Sequence, residues 1–144
     1  MNANAPEKNR DTAPTLAEVR ERFLMDRFAT ENGAVIDSIG PRTAVCSMKV
    51  SDSHRNAYGS VMGGALFTLA DFAFAVAANW NDCLHVSRTN TITFLSMPKG
   101  DTLYAEAVCL KEGGSTCLYK VTVRDSEGRD AAYVTVDGHV FRGR

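Results

Sequence analysis

The chain has 144 residues, 44% of them hydrophobic and 23% charged, an ordinary mix for one soluble domain with a core of its own. A formal net charge of −1 lacks the basic footprint that a nucleic-acid partner requires, and no stretch is long and apolar enough to span a bilayer, so neither nucleic acid nor membrane is an expected partner. Cys46, Cys83, Cys109 and Cys117 stand far apart with no metal-ligand spacing, and read as free thiols in a reducing, cytoplasmic compartment.

Residues 1–14 are rich in Asn, Pro and charge and contain no apolar signal core. They read as a disordered tail before a single domain over residues 15–144. Thr15 and Glu18 form a capping box that opens a helix over residues 17–31, with a loose apolar stripe at Leu16, Val19, Phe23, Met25 and Phe28. Asn32-Gly33 ends it. Strands follow over 34–39 and 43–51, parted by Gly40-Pro41, and a polar loop occupies 52–60. A helix then runs from 61 to 80. After a turn at Asn81-Asp82 come four strands, 85–96, 102–111, 115–125 and 130–141, rich in Val, Thr, Ile and aromatic residues. Gly113-Gly114 joins the second and third of these, and Ser126-Glu127-Gly128 the third and fourth.

The helix over 61–80 organises the rest. Its residues are apolar on every face, which predicts a helix wrapped by the protein's own structure. An antiparallel sheet needs one apolar face covered, and this helix supplies the cover. Such a sheet also leaves an edge strand exposed, and pairing with a second copy is the simplest way to manage it. One carboxylate, Asp71, sits in the middle of the helix. Without partners in a dry place it is costly, so it is either tied down structurally or faces a cavity with work to do. Gly63-Gly64 opens the helix, where unpaired N–H groups and partial positive charge make an oxyanion site; the alternative is a plain tight entry. Asn56 in the preceding loop is either a site residue or the maker of its own turn.

The run from Asn56 through Met62-Gly63-Gly64 to Asp71, with the later Asn90-Thr-Ile-Thr-Phe-Leu-Ser-Met-Pro and Gly100-Asp101-Thr102-Leu103, resembles the signature of the PaaI-like hotdog-fold acyl-CoA thioesterases. The resemblance spans residues 22–142. It implies an α+β hotdog fold, a curved antiparallel sheet wrapped around a long central helix. It also implies a homodimer, often paired into a tetramer, with sites at the subunit interface. Carried over by position, Gly63 is the oxyanion donor, Asp71 the general base or nucleophile from the other subunit, and Asn56 an orienting amide. Met62 and Gly64 border the substrate. Ser87, and after it Thr89, match a hydroxyl that holds the attacking water in some relatives; both also read as ordinary strand residues. The substrate is an acyl-CoA with an aryl or short- to medium-chain acyl group. No metal or cofactor is implied, coenzyme A being part of the substrate.

The family carries His where this chain has Met62. That departure leaves open a non-catalytic acyl-CoA-binding protein as the alternative function, with His54 a conceivable replacement. A dehydratase of the same fold is disfavoured for want of a His and acid pair. Phe67, Phe72, Phe74, Leu84 and Tyr58 are candidates for the acyl pocket, Phe72 and Phe74 reading rather as core. Arg88, Lys99 and Arg124 are candidates to meet coenzyme A phosphates, and His85 and His139 read as solvated or locally bonded.

Overall fold

Thr15 caps the first helix, α1 (Leu16–Phe23), through the expected box: its hydroxyl accepts the Glu18 N–H, and the Glu18 carboxylate accepts the Thr15 N–H at 2.8 Å. The computed structural model describes residues 12–81 and 83–143, so most of the expected tail lies outside the described residues. The helix expected over 17–31 is two helices. α1 stops at Phe23, and α2 (Arg27–Glu31) starts afresh. The reason is phase. Val19 and Phe23 point inward, and the next positions on that face of one continuous helix are Asp26 and Arg27. The break at Leu24–Asp26 resets the phase, so that Ala29 is buried instead.

The six strands are β1 (Ala34–Gly40), β2 (Thr43–Lys49), β3 (Leu84–Phe94), β4 (Thr102–Glu112), β5 (Thr116–Asp125) and β6 (Asp130–Phe141). They form one antiparallel sheet in the order β1-β2-β4-β5-β6-β3. One face is apolar by alternation: Ala44, Cys46 and Met48 on β2, Leu103, Ala105 and Ala107 on β4, Tyr119, Val121 and Val123 on β5, Val134 and Val136 on β6. The central helix α3 (Gly63–Ala78) lies against that face and touches all six strands, which a flat sheet cannot offer to one helix. The sheet is therefore curved round the helix, the expected α+β hotdog arrangement. Phe74 meets Tyr119 edge-on at 5.2 Å, and Phe72 meets Phe23 edge-on at 6.0 Å.

The wrapping is incomplete in one chain. Gly64 and Asp71 are exposed, and Phe67, Thr68 and Ala75 only half-buried, a stripe at helical spacing that faces away from the sheet. A single sheet covers a helix from one side; α1, buried through Val19 and Phe23, sets Phe23 against Phe72 of α3, and α2, buried through Ala29, packs beside it. β3, eleven residues long, closes one end of the sheet with its outer edge unpaired among the described residues, and carries exposed Leu84, Val86 and Phe94.

Asp125 pins the far ends together. Its carboxylate accepts N–H groups from Lys99, Glu127 and Arg129 and is held by the Arg129 guanidinium at 2.6 Å. Burial alone would raise this carboxyl, but those four donors outweigh it and hold it far below the usual carboxylate range.

Candidate active site

The loop before α3 is braced by His54. The Ser51 N–H donates to His54 Nδ1 at 2.9 Å, which leaves the proton on Nε2, and Nε2 donates to the Asn32 carbonyl at 2.6 Å. The His54 carbonyl in turn accepts the Met62 N–H at 2.8 Å. Both ring nitrogens are thus engaged in holding the loop, and His54 does not stand in for the histidine expected at position 62. Asn56 shapes the same loop: its Oδ1 accepts the N–H groups of Tyr58 and Ser60 at 3.0 and 3.1 Å. The local-turn reading of Asn56 is thus realised in the geometry.

Met62 is the N-cap of α3, in extended backbone, with no side-chain bond to the helix. Its side chain lies beside Gly64 and stays 55% exposed. The N–H groups of Ala65 and Leu66 turn back to the Met62 carbonyl, whereas those of Gly63 and Gly64 find no acceptor among the described residues. Two donors at the positive end of a helix are therefore free. Gly63 leaves room for the Phe94 side chain, which is itself half exposed and able to shift. A Cβ there would come within 2.8 Å of the Phe94 ring, which rests against the helix end.

Two turns along the same helix, Asp71 opens into a cleft of about 480 Å³ between α2 and α3. Asp26, Arg27, Phe28, Ala29, Phe67, Thr68, Phe72 and Ala75 form the rest of its lining. Solvent reaches the cleft, yet its walls strip enough water from the Asp71 carboxyl to raise it, and the negative charge of Asp26 raises it further. Neither the Asp71 nor the Asp26 carboxylate has a hydrogen-bond or ion-pair partner among the described residues, so Asp71 is not a tied structural carboxylate in this chain. Asp26 went unnoticed in the sequence because a continuous helix places it on a solvated face; the signal was a charged pair, Asp26-Arg27, falling where the apolar stripe should continue.

The remaining candidates divide. Ser87 and Thr89 flank a bulge on β3, opposite Gly138 and Asp137, with Ser87 half-buried and Thr89 exposed. Phe67 and Phe72 line the cleft, while Phe74 is core, and Tyr58 and Leu84 are exposed outside it. Arg88 pairs with Asp137 and Arg124 with Asp130. His85 is buried, its Nδ1 donating to the Cys83 carbonyl at 3.0 Å.

The family model for the thioesterase superfamily matches residues 58–132, from the loop through α3 to β6. The chain belongs to the thioesterase superfamily. It is a thioester hydrolase. This thioesterase is 34% identical to the acyl-coenzyme A thioesterase PaaI of Escherichia coli over 120 residues, 83% of this chain and 81% of that one. The solved structure of E. coli PaaI, from the phenylacetic acid degradation operon, superposes with a TM-score of 0.78 at 30% identity, covering 90% of this chain and 98% of that one. A hypothetical thioesterase of Streptococcus pneumoniae, solved with coenzyme A, gives 0.77 at 26% identity, covering 85% and 98%. Among the described residues of the thioesterase, no helix is long and apolar enough to cross a membrane.

Proposed function

We propose that this thioesterase hydrolyses acyl-CoA thioesters carrying an aryl or short- to medium-chain acyl group, at a site completed by two copies of the chain. The observation that carries the reading is the pairing, on one helix, of a free N-terminal donor pair at Gly63-Gly64 with an unpartnered carboxyl at Asp71 that opens into a cleft and is raised by partial desolvation. Eight residues separate Gly63 from Asp71, about 12 Å of helix rise. Reacting groups must come within about 3–3.5 Å, so one chain's donors and carboxyl do not serve the same carbonyl. The unpaired edge of β3 supports a homodimer that brings the second copy, with further pairing into a tetramer.

In this reading the thioester carbonyl rests on the Gly63 N–H. Asp71 of the second copy takes a proton from water, and the resulting oxygen attacks the carbonyl carbon. The oxyanion that forms is held at the helix N-terminus until the C–S bond breaks, releasing the free acid and the coenzyme A thiolate. Direct attack by Asp71, through an anhydride, is the other route the same residues allow. Asn56 and Gly64 border the carbonyl, Ser87 or Thr89 holds the water, and Met62 contacts substrate without supplying a donor. Phe28, Phe67 and Phe72 give the acyl group apolar walls. The reaction draws on water and the chain's own groups, with no added cofactor, and the four free thiols fit a reducing cytoplasm.

The test is release of free thiol from a panel of aryl-, short-, medium- and long-chain acyl-CoAs by wild type and Asp71→Ala. Turnover of aryl or short- to medium-chain esters, lost about a thousandfold or more in Asp71→Ala with the fold intact, is the expected result. Micromolar binding without turnover would favour the non-catalytic reading through Met62. Turnover untouched by Asp71→Ala would remove Asp71 from the site.

A further inference from the structure

We propose that Asp26 is a positioning residue for the hydrolysis: its charge, held in the same cleft, tunes Asp71 as the base. The proposal rests on the reading of Asp71 as a general base.

Asp26 occupies the N-cap of α2, where an Asp ordinarily accepts a hydrogen bond from its own helix, yet its side chain makes no such bond. Nor does it enter an ion pair among the described residues. Instead it lines the cleft that Asp71 lines, between the two helices. The charged groups facing Asp71 from the cleft walls are Asp26 and Arg27. Arg27 is engaged with Glu31 at 2.6 Å, both side chains largely in solvent. The nearest hydroxyl, Thr68 Oγ1, is turned back to the Gly64 carbonyl at 2.8 Å. Asp26 is thus the uncompensated charge that Asp71 meets; both carboxylates are exposed in one chain, and the cleft walls remove only part of their water.

Two carboxylates in such a space resist ionising together. Burial raises the Asp26 carboxyl, and burial and the Asp26 charge together raise Asp71. A base of higher proton affinity is the stronger base once deprotonated, and works best when it titrates just below the operating pH. Asp26 therefore gives Asp71 more pull on water at neutral pH, at the expense of activity in acid.

The measurement is kcat/KM against pH, from about pH 4 to about pH 9, on the acyl-CoA turned over best, for wild type, Asp26→Asn and Asp26→Ser. Serine keeps a good N-cap residue without the charge, so it guards against misfolding of the first variant. In both, the acid limb should move to lower pH and the profiles should cross: about twofold or more faster than wild type on the wild-type acid limb, and slower on the neutral plateau. Asp26→Glu should restore the wild-type limb. A profile scaled by one factor at all pH values, or left unmoved, overturns the proposal. Asp71→Asn run alongside separates the two claims. If it keeps turnover, the base assignment has failed. If it is inactive while Asp26→Asn leaves the limb in place, only the role of Asp26 has failed.

Discussion

Met62 stands where the resemblance leads one to expect His, and the structure gives that residue a local meaning. An N-cap residue normally accepts one of the free N–H groups of its helix; Met62 accepts none with its side chain. The helix end stays available to a ligand at some cost in stability. Met62→Asp should reverse both effects. The new carboxylate would accept the Gly64 N–H and add about 0.5–1 kcal/mol, read from urea unfolding. It would also place negative charge where the oxyanion forms, and kcat should fall about a hundredfold or more in the thiol-release assay. The free helix end and Asp71 were legible in the sequence, because a lone carboxylate in an apolar helix and a Gly pair at its start are unusual in themselves. Asp26 was not. It shares a cleft with a residue 45 positions later in the chain, and the local signal, a charged pair interrupting the apolar stripe, marks a break in the helix without naming that neighbour.

At the level of elements, alternation and turn residues were enough to place all six strands within about two residues of their ends, since each strand has one apolar face that cannot be shifted without exposing it. The helix over 17–31 failed for the opposite reason. Its stripe was loose, and a loose stripe does not fix phase: Met25 and Phe28, counted into it, are exposed, and the chain breaks over 24–26, at Met25 itself. Asp125 was also illegible, because a polar residue at a strand end reads as an ordinary turn. In the structure it ties the β5–β6 hairpin to the chain entering β4. Its carboxyl is held far below the usual range in the folded state, so the stabilisation is fully present above the unfolded value, about pH 4, and is lost as the pH falls below it. Urea unfolding across a pH series should show wild type weakening below about pH 4. Asp125→Asn should start about 2–4 kcal/mol less stable at neutral pH and show a flatter acid side.

Across the whole molecule, the rigid helix that carries both Gly63 and Asp71 has a consequence for how damage is shared. If each site takes its donors from one copy and its carboxyl from the other, every dimer holds two sites, and each chain is half of both. Asp71→Ala leaves a sound donor end; Met62→Asp leaves a sound carboxyl. Either variant alone ruins every site. Mixed, unfolded and refolded together in equal amounts, they form hybrid dimers in which one site inherits both sound halves and the other both damaged ones. With random pairing about half the dimers are hybrids, so the mixture should recover about a quarter of wild-type activity from two inactive parents. A site contained within a single chain would recover none. Such a protein is genetically forgiving in an unusual way: two defective alleles expressed together rescue one another, provided their lesions fall at opposite ends of the same helix.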